Sequence, residues 1–494
     1  MIATSVTPGR LVMVNITGTT LDRQQADHLQ HLGVRAVCLF RRNISSEEQV
    51  LRLTHDLREA MGEGSLIAID QEGGAVVRAT FLPQPPSAMS LGASGDAGLA
   101  RDVGDAVARG IRSLGFNWNF APVLDVNSNP ANPVISERSF GEDPAEVARL
   151  AGAWLTGATG AGVACCVKHF PGHGDTSVDS HRDLPVVDKP LEALRALELA
   201  PFRALLAQAP ALMTAHILYP RIDPDLPATL SPRILGDLLR REWGYEGVVI
   251  TDALDMHAIH KRYGHERAAV LALQAGADMV MALGPPGEQA LAVQAIARSL
   301  ASGDLETAAL ARSIARLDAL GARFPVGWPP YAPAQRAADE DLMARAWAAG
   351  LAAYGEPQAP ARGRGIRVVT QADVPGDGVS EAGLSEAGVR RIFAGVPDVE
   401  FTTCADLDAL DWQDLPGDGR LRILASNRRA RYAAASAGWH PDLHLALWNP
   451  YHALDVDAPA VISWGHGNGA IQALREWLLG RARLPGRMPV RLAA

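Results

Sequence analysis

The chain has 494 residues, more than one ordinary domain holds, and its length predicts two or three domains. Hydrophobic residues make up 48% of it and charged residues 20%, a composition typical of a globular protein that buries large cores. The net charge of −9 argues against a nucleic-acid partner, which would require a basic face.

The N-terminal segment and the cysteines indicate where the protein works. The first twenty residues carry one basic residue and lack the apolar core of a signal peptide, and no apolar run is long enough to predict a membrane span. Cys38, Cys165, Cys166 and Cys404 form no C-x-x-C pair, and three of them lie in strand-like runs, so we expect buried free thiols. We therefore expect a cytoplasmic protein with no membrane partner.

Short apolar runs alternate with amphipathic segments over the first three hundred residues. The strand candidates are 11–16, 34–40, 65–70, 117–126, 163–170, 211–217, 247–252 and 279–283. Helix starts between them are signalled by a capping box, Ser45-x-x-Glu48, and by Ser231 followed by Pro232. Eight strands, each followed by a helix, predict a (β/α)8 barrel. A doubly wound sheet is the alternative, but the eightfold repeat favours closure.

A second, smaller domain is predicted after the barrel. The segment 324–335 is rich in proline and aromatic residues and is typical of a linker. Beyond it, strand-like runs return at 367–370, 399–401, 421–425, 443–447 and 460–464. They predict an α/β sandwich with a mostly parallel sheet. We therefore divide the chain into a catalytic barrel over 1–324, a linker over 325–338 and a C-terminal α/β sandwich domain over 339–494.

Ionisable residues fall at the carboxyl ends of five successive predicted strands: Asp70, Asp125, Lys168 with His169, His216 and Asp252. Each has a structural alternative, such as a helix N-cap for Asp252 or a satisfied buried pair for Lys168 and His169. Five coincidences of this kind are harder to accept than one, because buried charges are costly. Since the carboxyl ends of barrel strands form the active site, we expect these groups to converge on one pocket.

The stretch KHFPGHGDTSVDSHRDLP, residues 168–185, raises the question of a metal. His169 and His173 have the i, i+4 spacing of a helical zinc pair, but the proline and glycines around them would break that helix. We therefore expect no metal. Asp179 and His181 have a different use, because an aspartate two residues before a histidine can orient the ring and raise its basicity. This pair is a candidate acid/base.

These segments together resemble a known family. KHFPGHGDTSVDSH, with IDQEGG upstream and PATLSPRILGDLLRREWGYEGVVITDALDM downstream, closely resembles the β-N-acetylglucosaminidases of glycoside hydrolase family 3. The resemblance covers about residues 10–325, and the C-terminal part, ending in ARLPGRMPV, is similar to the α/β sandwich of two-domain members. It implies Asp252 as the nucleophile, His181 as the acid/base and Asp179 as its partner. It also implies a set of sugar-binding residues: Asp70, Arg78, Arg138, Lys168 and His169.

The sequence departs from the family pattern at two places. Ala75 stands where many members have arginine, and we expect only a small effect on the rim of the pocket. Ser136 and Glu137 precede Arg138 at positions where members vary. The C-terminal stretch 463–469, SWGHGNG, could reach the active site as in some relatives, although a glycine-rich turn is the simpler interpretation.

The resemblance predicts a retaining exo-β-N-acetylglucosaminidase, a β-hexosaminidase, that forms a covalent glycosyl-enzyme on Asp252. Its expected substrate is a GlcNAc-containing oligosaccharide or a muropeptide fragment from cell-wall recycling. We expect the enzyme to need no cofactor or metal. We expect a monomer. The alternatives are a phosphorylase, in which phosphate accepts the sugar, and a non-catalytic amino-sugar-binding protein. A β-glucosidase is less favoured, because such members place a glutamate acid/base elsewhere.

Overall fold

The structure, a computed structural model, describes residues 6–361, 363–376 and 379–492. Within these residues the N-terminal part contains ten strands: β1 (Val12–Val14), β2 (Ala36–Leu39), β3 (Leu66–Ile69), β4 (Gln71–Gly73), β5 (Val76–Val77), β6 (Trp118–Asn119), β7 (Ala164–Phe170), β8 (Ala211–Thr214), β9 (Val248–Ala253) and β10 (Met279–Met281). Eight of them are parallel and close into a barrel in the order β1-β10-β9-β8-β7-β6-β3-β2. The predicted (β/α)8 barrel is confirmed.

The barrel strands correspond one to one with the eight apolar runs of the sequence. A parallel barrel strand is covered on both faces, so its residues are mostly apolar in succession rather than alternately apolar and polar. In β7, for example, all seven residues are buried. The fourth strand, β6, keeps only two residues of the predicted run, and the rest is buried irregular chain in which Val123 makes an isolated bridge to Lys168. The antiparallel pair β4–β5, which follows β3 directly, was not predicted.

Helices surround the barrel: α1 (Arg23–Leu32), α2 (Glu47–Met61), α3 (Ala88–Ser94), α4 (Ala97–Ser113), α5 (Pro144–Gly160), α6 (Leu191–Ala196), α7 (Ala200–Leu205), a π-helical segment (Arg233–Glu242), α8 (His257–Ala275), α9 (Pro286–Ser302) and α10 (Thr307–Arg323). The predicted capping box at Ser45 is wrong by one residue, because Ser46 is the N-cap of α2 and accepts a hydrogen bond from the Gln49 N–H. Ser231 does cap its helix, since its Oγ accepts from the Ile234 N–H at 3.2 Å.

The C-terminal part is built on one six-stranded sheet. Its elements are α11 (Pro333–Gly350), β11 (Ala352–Tyr354), β12 (Ile366–Gln371), α12 (Glu386–Ile392), β13 (Val399–Cys404), β14 (Leu421–Ser426), β15 (Leu443–Ala446), α13 (His452–Asp455), β16 (Ala460–Ile462) and α14 (Asn468–Leu478). The order is β11-β16-β15-β14-β12-β13, parallel except for β11. All five predicted strands are present, and the antiparallel edge strand β11 was missed.

Helix α11 connects the two parts of the molecule. It begins at Pro333, inside the segment 325–338 predicted as a linker, and it contacts α3 and α4 of the barrel as well as α14 of the C-terminal domain. Arg109 of α4 holds the helix through Asp339, with Nε 3.0 Å from Oδ2, and Trp347 donates to the Gln84 carbonyl oxygen at 3.1 Å. The two domains are therefore in direct contact.

The cysteines and the helices agree with the sequence in two further respects. All four cysteines are free, with Cys38, Cys165 and Cys166 buried in the barrel and Cys404 half-buried. Among the residues that the structure describes, no helix combines the length and the apolar character that crossing a bilayer requires.

Candidate active site

A cavity of about 100 Å³ lies at the carboxyl end of the barrel. Its polar lining consists of Asp70, Glu72, Arg78, Arg138, Lys168, His169, His173, Ser180, His181 and Asp252. Seven of the eight predicted site residues are in this set, and Asp179 lies directly behind His181. A larger cleft, of about 680 Å³, lies at the amino ends of β8 and β9 beside Pro210 and Gly247, and none of the predicted residues lines it. The predicted residues therefore gather in the smaller, polar cavity.

Asp252 ends the apolar run of β9, where the strand reaches the cavity. Its Oδ1 accepts a hydrogen bond from the Ala253 N–H at 2.8 Å. Burial would raise the pKa of this carboxyl, but His216, His169 and His181 lie close enough to hold the pKa below its usual value. Asp252 is therefore ionised at neutral pH, as a nucleophile must be.

His181 lines the same cavity from the loop that follows β7. Its Nδ1 lies 2.9 Å from Asp179 Oδ1, which also accepts the His181 backbone N–H at 2.9 Å. Burial would lower the pKa of the imidazole, but the hydrogen bond to Asp179 and the nearby Asp252 carboxylate raise that pKa above its usual value. Because Asp179 occupies Nδ1, the second ring nitrogen is left to exchange a proton in the cavity.

A network of buried ions forms another wall of the cavity. Lys168 Nζ lies 2.8 Å from Asp70 Oδ1 and 2.6 Å from Glu72 Oε1. Glu72 also receives two hydrogen bonds from Arg138, at 2.8 and 2.9 Å. Burial would raise the pKa of Glu72, but Arg138 and Lys168 hold it far below its usual value. This network presents fixed donors and acceptors of the kind that bind hydroxyl groups.

Asp125 organises the two histidines that follow β7. It is completely buried, its Oδ2 lies 2.7 Å from His169 Nδ1, and its Oδ1 accepts the backbone N–H groups of His169 and His173 at 3.1 and 2.7 Å. Burial would raise the pKa of Asp125, but the histidines, above all His169, hold it below its usual value. Asp125 therefore fixes the direction in which the His169 ring faces the cavity.

His173 links this region to the loop that carries His181. Its Nε2 lies 3.0 Å from Ser180 Oγ and its Nδ1 lies 2.9 Å from Thr176 Oγ1, so both ring nitrogens are engaged by hydroxyl groups. Burial lowers the pKa of His173 to about 4, and the ring is therefore neutral. Ser180 immediately precedes His181, so His173 also helps to hold the loop around His181 in place.

The geometry bears on the metal question raised by the sequence. Across 6–361, 363–376 and 379–492, no group of three or more His, Cys, Asp or Glu side chains is arranged to hold a metal ion. His169 is committed to Asp125, His181 to Asp179, and His173 to two hydroxyl groups. The histidines of this stretch therefore serve hydrogen bonds.

Sequence reasoning missed several residues that line the cavity, among them His173 and Ser180. Glu72, which joins Lys168 to Arg138, lies inside the IDQEGG segment but was given no role, since its neighbours in sequence do not reveal its partners in space. Val379, from the C-terminal domain, also lines the cavity. The proposed stretch 463–469 is not part of that lining: it is a glycine-rich turn that runs into α14, and its glycines lie against the ring of Trp347.

The two departures from the family pattern lie at the contact between the domains. Ala75 is buried rather than at the rim, and its carbonyl oxygen accepts the Glu381 N–H at 2.9 Å. Glu137 accepts a hydrogen bond from Trp448 Nε1 at 2.8 Å. Both positions are therefore in contact with the C-terminal domain.

An ionised carboxylate and a histidine–aspartate pair share one cavity at the carboxyl end of a (β/α)8 barrel, the end at which barrel enzymes carry their active sites. Residues 5–320 match the glycosyl hydrolase family 3 N-terminal domain, and the chain belongs to this family. The protein is therefore a glycoside hydrolase.

Individual relatives agree with this assignment. The chain is similar to a β-hexosaminidase of Idiomarina loihiensis, at 36% identity over 302 residues that cover 60% of this chain and 90% of the relative. It is 39% identical over 287 residues to β-hexosaminidase A of Pseudoalteromonas piscicida, which covers 53% of this chain but only 48% of that relative. A solved family 3 β-N-acetylglucosaminidase from Paenibacillus sp. str. FPU-7 superposes with a TM-score of 0.91 at 32% identity, over 100% of this chain and 99% of that one.

Proposed function

We propose that the protein is a retaining exo-β-N-acetylhexosaminidase that removes terminal β-linked N-acetylglucosamine. The observation that carries the proposal is the pairing of two groups in one cavity: the ionised Asp252 carboxylate and His181, which Asp179 holds at 2.9 Å. The β-hexosaminidase and β-N-acetylglucosaminidase relatives support the choice of sugar.

In the first step, Asp252 attacks the anomeric carbon of the bound sugar. The bond from that carbon to the glycosidic oxygen breaks, and protonated His181 gives its proton to the departing oxygen. The raised pKa of His181 favours the protonated form that this step needs. The product is a glycosyl ester on Asp252 and a released alcohol.

In the second step, water replaces the departed alcohol. His181, now neutral, accepts a proton from the water as its oxygen attacks the anomeric carbon, and the bond to Asp252 breaks. Asp179 stabilises the imidazolium that forms again. The configuration of the anomeric carbon is inverted twice and therefore retained.

The ionic network and the apolar lining support an N-acetylated sugar. Asp70, Lys168 and their partners offer acceptors and donors to the ring hydroxyls. The acetamido group lies on the carbon next to the one that Asp252 attacks. Met213, Met256 and Met281 line the cavity, and they come from β8, from the residues after β9 and from β10, which makes them neighbours of Asp252 in the barrel order. Three soft apolar side chains suit an acetyl methyl group better than a hydroxyl.

Phosphate as the acceptor is the second candidate. An imidazole base is neutral when it assists the second step, so it repels an incoming phosphate less than a carboxylate base would. The same covalent intermediate on Asp252 then gives a sugar phosphate in place of the free sugar. A non-catalytic sugar-binding role is disfavoured, because such a protein has no use for Asp252 and His181 together.

One assay tests these possibilities. Aryl β-N-acetylglucosaminide and aryl β-glucoside would be offered with and without phosphate, and the products identified. The proposal expects free N-acetylglucosamine, with slow turnover of the glucoside. A sugar phosphate that forms in proportion to added phosphate would establish the phosphorylase, and preference for the glucoside would contradict the assigned substrate.

The natural substrate and its location are further parts of the proposal. We propose that the natural substrates are muropeptide fragments with a terminal N-acetylglucosamine. We also propose that the protein acts in the cytoplasm, where free cysteines such as those of this chain are stable. Release of N-acetylglucosamine from purified muropeptides, measured beside chitobiose, tests the choice of aglycone.

A further inference from the structure

The C-terminal domain reaches the cavity through a short segment that follows residue 378. Val379 lines the cavity, and its carbonyl oxygen accepts a hydrogen bond from Arg78 Nη2 at 3.0 Å. Glu381 Oε1 accepts from Arg78 Nη1 at 2.7 Å, while the Glu381 N–H donates to the Ala75 carbonyl oxygen at 2.9 Å. The segment is therefore bound to the barrel through its backbone and through the Glu381 side chain.

A second residue of the C-terminal domain, Arg429, contacts both this segment and Val134 of the barrel. Arg429 is buried; its Nη1 donates to Ser380 Oγ at 3.2 Å, and its Nη2 donates to the Val134 carbonyl oxygen. Val134 itself lines the cavity, and the same carbonyl oxygen accepts from Arg138 at 3.2 Å. The C-terminal domain thus contacts Arg78 directly and shares the Val134 carbonyl oxygen with Arg138.

Arg78 lies between two carboxylates, those of Glu381 and Asp70. Arg78, with a side chain only 10% exposed, is 2.7 Å from Glu381 and 3.7 Å from Asp70 Oδ2. The other oxygen of Asp70 is held by Lys168 at 2.8 Å. If Glu381 were absent, the guanidinium would have Asp70 as its nearest carboxylate and would move toward it, because a buried charge needs a close partner. Both oxygens of Asp70 would then be engaged by buried cations, Oδ1 by Lys168 and Oδ2 by Arg78, which leaves fewer of its lone pairs for a sugar hydroxyl.

The geometry points to Glu381 as a positioning residue of the sugar pocket, which holds Arg78 away from Asp70 so that Asp70 can bind a sugar hydroxyl. Together with Val379, it makes the C-terminal domain one wall of the active site. This inference rests on the proposed function, since it concerns how the same cavity binds its sugar.

The test is the Glu381→Ala variant of the full-length enzyme, assayed on whichever aryl glycoside the wild type cleaves. Loss of one charge-assisted contact to the sugar corresponds to a rise in KM of roughly tenfold to a hundredfold. We expect kcat to change by less than about threefold, because contacts of this kind act in the ground state and the transition state alike. The matched control is Glu386→Ala, which removes a carboxylate of similar exposure whose ion pair, within the described part of the chain, is with Arg390 of its own helix.

A double-mutant cycle separates positioning through Arg78 from a general loss of stability. In an Arg78→Ala background, Glu381→Ala should change KM by less than about twofold, since its partner is already gone. Additive effects in the cycle, or a KM equal to that of the Glu386→Ala control, would overturn the inference.

If the alanine variant does not fold, Glu381→Gln keeps the size of the side chain and should show the same selective rise in KM to a smaller extent. Failure of the proposed function would appear in the wild type as a different substrate or product, whereas failure of this inference appears only in the variants.

Discussion

Replacing His181 by alanine separates the two chemical steps of the proposed mechanism. His181 lines the cavity with Asp252, its side chain is 36% exposed, and its Nδ1 is 2.9 Å from Asp179. The variant keeps the nucleophile and the sugar-binding network but cannot protonate a departing oxygen. A substrate with a poor leaving group should therefore suffer, while an activated aryl glycoside, whose leaving group departs without a proton, should not.

The magnitude follows from the role of the proton. General acid catalysis contributes about 10²–10⁴-fold, which corresponds to about 2.7–5.4 kcal/mol of barrier. A β-linked disaccharide should lose at least that order of rate in His181→Ala. With an activated aryl substrate, the first step should change by less than about tenfold. The glycosyl-enzyme should then accumulate, because the second step still lacks a base.

The assay compares both substrates in the presence and absence of azide. Azide attacks the anomeric carbon without needing a base, so it should restore turnover of the aryl substrate and produce a β-glycosyl azide. Asp179→Ala should give a milder form of the same pattern. Because Asp179 raises the pKa of His181, its removal should lower that pKa and move the alkaline limb of the kcat/KM profile to lower pH.

A different outcome would remove His181 from this role. If both substrates lost the same fraction of their rate and azide restored nothing, His181 would be a binding residue. The acid/base would then have to be another group that faces the cavity.

Three further perturbations test the surrounding site. Glu72→Gln should lower the free energy of unfolding by about 3–5 kcal/mol in denaturant titrations at pH 7, because it leaves Arg138 and Lys168 buried with one carboxylate fewer. Since the folded state lowers the pKa of Glu72, the stability that its carboxylate contributes is fully present above about pH 4.3 and is lost progressively as the pH falls below that value. The difference in unfolding free energy between variant and wild type should therefore shrink as the pH is lowered from about 4.3, and a difference that grew would contradict this. Asp125→Asn should reduce kcat/KM by roughly tenfold to a hundredfold, since His169 loses a charge-assisted contact; unchanged kinetics would show that the ring needs no such support. Activity should survive EDTA, whereas loss that added zinc reverses would revive the metal hypothesis.

The fold could be predicted because hydrophobic runs are local signals. Each barrel strand is buried on both faces, so its residues are apolar in succession and stand out in the sequence. The elements that were missed are short or lie at edges: β4–β5 spans a glycine turn next to β3, and β11 continues directly from α11. Their apolar stretches, 75–77 and 351–354, are short and lie next to a glycine turn and the end of an apolar helix, so neither stands out as a separate strand. The capping residue of α2 was misplaced by one position because Ser45 and Ser46 are adjacent and either could cap.

The site was predictable only as far as its residues lie in one continuous motif or at a strand end. Asp252 and His181 follow from such positions. The partners of Glu72 are 66 and 96 positions away, and Glu381 is 303 positions from Arg78, so no local pattern connects them. Such contacts depend on how the barrel and the C-terminal domain pack together, and only a three-dimensional structure reveals them.

The central claim is that Asp252 carries the sugar during turnover. A 5-fluoro glycoside of N-acetylglucosamine, which keeps the acetamido group, would trap the intermediate, and the labelled protein would be digested with trypsin. Cleavage after Arg241 and Lys261 gives a peptide that contains both Asp252 and Asp255, so fragment ions must locate the label. The account predicts one sugar on Asp252 and none in an Asp252→Asn variant. A label on Asp255 or on any other carboxylate would contradict it.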